Sequence, residues 1–344
     1  MANPGGSSWG STPSTLGDAG GVVTWSIAGG GENISEFGIN NGNSIDPASA
    51  FQNLQYENLI RQSFEEWSRY GNIEFMQVED TGGAAGQVAD PDIRIFFGDI
   101  PGSTLGVAYF PPFGGTSALA GDIVLDTVSW LDNAADTFKG LALHEIGHAL
   151  GLGHVDQNVN SVMTPSLSQT SLQQDDINGI RQVYGTQDNA PAVYNMASGQ
   201  AKLNILNSPA KLTVNGNNLN NEIDGTDTAE TFNGGGGADT LLGQGGSDRL
   251  DGGGGNDQLF GGAGADRIFG GDGADLIRAG FNFGTSVDGV EGGAGNDTIF
   301  GDAGFDLLRG GGGNDGLNGG NHADNLYGED GNDTLDGGNG FDRL

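Results

Sequence analysis

The stretch HEIGHALGLGH, residues 144–154, decides how the rest of the chain is read. His144 and His148 stand four apart, with Glu145 between them and His154 further on. On a helix, positions i and i+4 share a face, so both imidazoles reach one cation while Glu145 lies beside it. Gly151 lets the helix end and the chain turn sharply, which brings His154 round to the same ion. Three neutral nitrogens with an open fourth position make a catalytic zinc site, not a closed structural one. A lone HExxH recurs by chance on solvent-facing helix turns. The added glycine, the third histidine and Met163 together argue against that reading here.

The pattern HExxHxxGxxH resembles the signature of the metzincin metallopeptidases. The run Asn160-Ser161-Val162-Met163-Thr164-Pro165 is similar to the methionine turn beneath the zinc in that clan, with the spacing of matrixins. Residues Gln174 to Ile180 with Tyr184-Gly185 resemble the last helix of the same domain, so the likeness covers Trp9 to Gly185. The resemblance implies an α+β catalytic domain, a mixed twisted sheet with three main helices. It also implies that Glu145 is the catalytic base and acid, that Met163 forms a hydrophobic floor, and that Asp175 and Asp176 brace this region. Val107, Ala108 and Tyr109 would lie on an edge strand along which a peptide substrate extends. Gly140 would stand at the base of a deep pocket walled by Pro165 to Leu167.

Composition bounds the rest. The chain has 344 residues, 45 acidic against 12 basic, a formal charge of −33 and no cysteine. Nucleic acid and anionic membranes repel such a chain, and multivalent cations attract it. Without cysteine there is no disulfide, no thiolate ligand and no cysteine-dependent latency. No stretch approaches the roughly 20 apolar residues of a membrane span, and the start MANPGGSSWG lacks the features of a signal peptide.

Along the chain, residues 1–20 read as a flexible segment and 21–185 as the peptidase domain. Gly21–Ile27 is a first strand. Asp46-Pro47 starts a helix whose buried face is Tyr56, Ile60, Phe64 and Trp67, ended by Gly71. Strands follow at Ile73–Val78, Asp92–Phe97, Gly106–Tyr109 and Asp122–Asp126. The active-site helix spans Asp136–Leu150, and Ser171 with Gln174 forms a capping box for the last helix. Val124 stands where matrixins carry a structural-zinc histidine, which implies a single zinc. Asp122 and Asp126 read either as calcium ligands or as solvated strand ends.

Residues 186–215 read as a linker, and 216–344 as a repeat of nine, G-G-x-G-x-D-x-apolar-x. Degenerate copies begin at Gly216 and Gly225. Regular blocks then carry Asp239, Asp248, Asp257, Asp266 and Asp275. An interruption at 279–291 precedes blocks with Asp297, Asp306, Asp315, Asp324 and Asp333, and a partial one through Asp342. Glycines permit left-handed backbone that turns carbonyls inward, aspartate supplies a hard anionic oxygen, and the apolar residue begins a short strand. Each turn alone buries almost nothing, so calcium must neutralise the carboxylates for the solenoid to stand. GxGxxG also occurs here, but no helix pattern follows, which excludes a nucleotide loop. His322 replaces a repeat glycine as a solvated variant.

This repeat resembles the all-β parallel β-roll of secreted RTX proteins. A metzincin domain joined to such a roll resembles the serralysin-like peptidases. Those carry a tyrosine soon after the methionine, whereas Thr164-Pro165-Ser166-Leu167 follow here, which implies no tyrosine ligand. The expectation is a monomeric, secreted zinc endopeptidase that acts on proteins or peptides and is folded by several calcium ions. It would be exported by a signal-peptide-independent route, although Leu344 ends in mid-repeat without an evident secretion tail. The alternative is a calcium-dependent extracellular binding protein whose zincin domain is latent.

Overall fold

The computed structural model describes residues 22–28, 55–80, 92–100, 105–108, 121–126, 135–154, 160–164, 169–184, 192–207, 211–281 and 287–344. It divides into two units, Met1–Ala190 and Pro191–Leu344. Residues 1–20, Asp46-Pro47, Tyr109 and Pro165 to Leu167 lie outside the described residues.

In the first unit, β-branched and aromatic runs form a five-stranded sheet ordered β2-β1-β3-β5-β4. These are β1 (Val22–Ile27), β2 (Glu74–Val78), β3 (Ile93–Gly98), β4 (Gly106–Ala108) and β5 (Ile123–Asp126). The first three and β5 pair in parallel, and β4 pairs antiparallel with β5 at the edge. Helix α1 (Gln55–Ser68) lays Tyr56, Ile60, Phe64 and Trp67 into the core, where Phe64 stacks on Trp25 with ring centroids 4.5 Å apart. Trp67 Nε1 donates to the Leu143 carbonyl (3.1 Å), which ties α1 to helix α2 (Ala135–Ala149). From Phe138 onward α2 is buried almost all round, Lys139 excepted, so it is a central helix and not an amphipathic surface one.

Helix α3 (Gln174–Tyr184) begins differently from expectation. Gln173 is the cap residue, and the carboxylate of Asp176 reaches back to the Gln173 N–H (2.8 Å). An acidic residue three positions into the helix satisfies that orphan donor, so the box is Gln173 with Asp176, not Ser171 with Gln174.

The second unit is a parallel roll in which strands from Val193–Asn195 to Thr334–Asp336 alternate between two sheets. Equivalent residues in neighbouring strands of one sheet are 18 apart, as in Phe232↔Leu250, so two nonapeptides make one full turn. Most strands of the repeats send one large apolar side chain inward. Ile223, Leu241, Leu259, Ile277, Ile299 and Leu317 face Val214, Phe232, Leu250, Ile268, Val290, Leu308 and Leu326 across a thin buried core.

Two boundaries differ from the sequence reading. Strands Val193–Asn195, Lys202–Asn207 and Thr213–Asn215 already pair into the roll, so residues 192–207 and 211–215 belong to its first coils and not to a linker. The expected interruption at 279–291 is narrower, because residues 279–281 and 289–291 are strand and the register only lengthens to 22, as in Ile277↔Ile299.

Candidate metal centres

Helix α2 carries His144 and His148 on one face, and Gly151 (φ +90°) reverses the chain after it. The result is a triangle in which the Nε2 atoms of His144, His148 and His154 stand 3.1 Å from one another. Four tetrahedral ligands at about 2.0–2.1 Å from zinc stand roughly 3.3 Å apart, so the donor set fits that ion. Among the described residues these three form the one group of three or more ligating side chains whose donor atoms all lie within 4.8 Å of one another.

The ring tautomers follow from the backbone. His144 Nδ1 donates to the Val162 carbonyl (2.6 Å) and His148 Nδ1 to the Leu152 carbonyl (2.7 Å). A carbonyl only accepts, so each Nδ1 holds its proton and each Nε2 offers a lone pair to the centre. Burial also lowers the pKa of both rings, His148 to about 4, where His144 adds to the effect. Both therefore stay in the neutral, ligating form.

Glu145 is buried, and burial raises its pKa to about 8. Its carboxylate lies against β4, where a Cβ on Gly106 would come within 2.6 Å of Glu145 Oε1. Met163 is fully buried, and a Cβ on Gly147 would run into its sulfur, so that glycine lets the methionine turn pack directly under α2. The turn is fastened by Asp176, which accepts from the Val162 N–H (3.0 Å) and, through a short bond, from the Ser161 hydroxyl. Sequence reasoning placed Asp176 in this region by resemblance only. The acidic residue three positions after Gln173 was the signal available.

The remaining expected positions divide. Val107 and Ala108 are half-buried on the edge strand. Gly140 is buried, and a Cβ there would meet the Gln169 carbonyl at 2.6 Å, so close packing of that loop requires the glycine, while the expected pocket wall lies outside the described residues. Asp122 and Asp126 are not solvated strand ends. Both are buried, and they accept the N–H groups of Arg94 (3.0 Å) and Ile100 (3.1 Å). Val124 packs in an apolar cluster with Ala28, Phe96 and Ile100.

In the roll the repeat aspartates form two ladders. Oδ1 of each accepts the backbone N–H of the ladder residue one coil earlier, as Asp257 does from Asp239 (2.7 Å) and Asp266 from Asp248 (2.8 Å). Oδ2 has no hydrogen-bond partner in Asp239, Asp248, Asp257, Asp266, Asp275, Asp297, Asp306, Asp315 or Asp324. Asp333 and Asp342 continue the ladders, accepting from Asp315 (3.0 Å) and Asp324 (3.1 Å). Asp288, which fits no nonapeptide block, takes a ladder place by accepting from Asp266 (2.8 Å). A shift of four residues hides it in the sequence.

Burial raises the carboxyl pKa along the ladders. Asp248 and Asp306 reach about 8, with the neighbouring carboxylates Asp266 and Asp288 adding to the effect, and Asp266 and Asp275 reach about 6. Rows of buried, half-satisfied carboxylate oxygens fit hard divalent cations.

The matrixin family profile matches residues 43–185, and the RTX calcium-binding nonapeptide repeat matches in four copies at 224–259, 251–284, 291–324 and 317–344. Human matrix metalloproteinase-15 is 32% identical over 152 residues, 38% of this chain and 22% of that protein. Metalloendoproteinase 1 of Glycine max is 30% identical over 151 residues, 38% of this chain and 46% of that protein. Human matrilysin is 38% identical over 100 residues, 27% of this chain and 36% of that protein. The chain thus spans less than half the length of these relatives. A matrixin domain implies a catalytic zinc and RTX repeats imply calcium, and the histidine triad and the aspartate ladders fit those ions. Residues 43–185 belong to the matrixin family, and the chain continues into RTX calcium-binding nonapeptide repeats.

Proposed function

We propose that this chain is a secreted zinc-dependent endopeptidase whose roll folds on calcium outside the cell. The observation that carries the reading is the convergence of three histidine Nε2 atoms, 3.1 Å from one another, beside a buried carboxyl group under an edge strand. His144, His148 and His154 would hold the zinc, which when bound supplies Lewis acidity and a more acidic water. Among the described residues β4 is paired on one side only, so an extended peptide adds to its free edge through main-chain hydrogen bonds along Val107 and Ala108. Glu145 then accepts a proton from the attacking water and returns it to the leaving amine. Met163 supplies the apolar floor. Asp239, Asp248, Asp257, Asp266, Asp275, Asp297, Asp306, Asp315, Asp324 and Asp333 would bind the calcium.

Among the described residues no helix is long and apolar enough to cross a membrane. The test is hydrolysis of casein and mixed peptides in calcium, with and without a zinc chelator, alongside Glu145→Ala. Cleavage is expected to stop on chelation, return with zinc and be absent in the variant at unchanged zinc content. No cleavage by the zinc-loaded chain would favour a calcium-dependent binding protein instead.

A further inference from the structure

Calcium loading along the roll need not be uniform, because the turns of the roll are not alike. In turns from 234–239 through 319–324, the second and fourth positions, where described, adopt left-handed backbone angles, with Gly235 at φ +101° and Gly237 at +122°. That conformation persists even where the residue is not glycine, as at Gln244 (φ 70°), Asp302 (63°) and His322 (83°), at a steric cost. Asn217 and Leu219 in turn 216–221, and Thr226 and Thr228 in turn 225–230, hold the same positions without positive φ. The pair of left-handed backbone angles that shapes the later turns is therefore missing from these two.

Their ladder residues differ as well. In turn 216–221 the aspartate is replaced by Asn221, whose Oδ1 lies against Gly216 as Asp239 Oδ2 lies against Gly234. That oxygen accepts the Asn217 N–H (2.9 Å), and the Asn221 amide donates to the Gln200 carbonyl (3.2 Å). Asn217 in turn donates to the Ala197 (2.8 Å) and Gln200 (2.7 Å) carbonyls.

In turn 225–230 the ladder residue is Glu230, nearly fully buried. Its Oε1 accepts from the Thr228 hydroxyl (2.6 Å) and, through a short bond, from the Thr226 hydroxyl, and its Oε2 accepts from the Thr226 N–H (3.3 Å). The longer side chain folds back onto its own turn and satisfies itself. On the adjoining sheet face an asparagine ladder, Asn233 to Asn215 (2.6 Å) and Asn215 to Asn195 (2.8 Å), stitches the same coils together.

We infer that residues 192–207 and 211–233 form a calcium-independent cap and that calcium binding begins at turn 234–239. The cap presents the Asn221 and Glu230 N–H groups to Oδ1 of Asp239 (2.7 Å) and Asp248 (2.8 Å). It thereby places the first carboxylate of each ladder before any ion arrives. The inference rests on the proposed calcium role of the aspartate ladders, which the experiment checks separately.

The test is calcium counting by native mass spectrometry, with a calcium titration, on the full chain and on Glu230→Gln and Asp248→Asn. Gln keeps the acceptor oxygen for Thr226 and Thr228, so Glu230→Gln is expected to bind the same number of ions with a midpoint within about twofold of the parent. Loss of an ion in Glu230→Gln would overturn the inference. Asp248→Asn is expected to lose about one ion, and an unchanged count there would overturn the ladder reading instead. Hydrogen exchange on the unsubstituted chain supplies the second measurement. Amides of 192–207 and 211–233 are expected to stay protected in chelator while those of 234–344 exchange, and parallel loss of both would also overturn the cap.

Discussion

Asp176 shows how one buried carboxylate sets an imidazole it does not touch. It holds the Val162 N–H at 3.0 Å while the Val162 carbonyl takes the Nδ1 proton of His144, so the residue between them is gripped from both sides. Asp176→Ala would leave buried N–H groups of Val162 and Gln173 without acceptors, a cost of about 3 kcal/mol in stability. Through the loosened ring, zinc affinity should fall about 10–100-fold. A thermal melt and a zinc competition titration check this, and unchanged zinc affinity in the folded variant would reduce Asp176 to a structural tie. The histidines and Glu145 were legible because their spacing is a property of one helix and the turn after it. The grip of Asp176 on Val162, 14 residues away, was not, since nothing in the local pattern encodes that contact.

Glycines set how closely elements approach, and the centre depends on two of them. On the edge strand, Gly106→Ala would place a methyl group 2.6 Å from Glu145 Oε1 and 2.7 Å from its Cγ. Displacing the carboxylate by about 1 Å should lower kcat by up to about 100-fold. The zinc content should hold, because the imidazoles stand on another element. Steady-state kinetics with metal analysis separates the two, and loss of zinc would show that β4 supports the whole centre. Within α2, Gly147→Ala would drive a methyl into Met163 and toward Trp67, for a loss of about 1–3 kcal/mol seen as a lower melting temperature. The elements themselves followed from hydrophobic period, as in Tyr56, Ile60, Phe64 and Trp67. The first coils of the roll were missed because their pairings, such as Lys202↔Glu222, run at a spacing of 20 and lack the glycine–aspartate signature.

At the scale of the whole molecule, a chain of formal charge −33 has few cations of its own to offset two ladders of buried carboxylates, so the roll needs either protons or added cations. Burial raises the pKa of Asp266 and Asp275 to about 6 and of Asp248 and Asp306 to about 8, against 3.8 for the same group unperturbed. A carboxyl whose pKa is raised by folding binds its proton more tightly in the native state than in the unfolded one. Its contribution to stability is therefore fully present below pH about 4 and is lost as pH rises through 6 to 8. The calcium-free roll should accordingly hold less structure at pH 8 than at pH 5, seen as a weaker strand signal or a lower melting temperature. Ordinary surface carboxylates, which titrate near 4, do not account for a change in that window. Calcium competes with protons for the same oxygens, so its stabilisation grows as pH rises and the saturated roll should lose the acid preference. Melting followed by circular dichroism at pH 5, 6.5 and 8, in chelator and in millimolar calcium, reads both slopes. A calcium-free melting temperature that rises with pH would mean that the ladder carboxylates are satisfied without an ion, and the roll would then fold without regard to calcium.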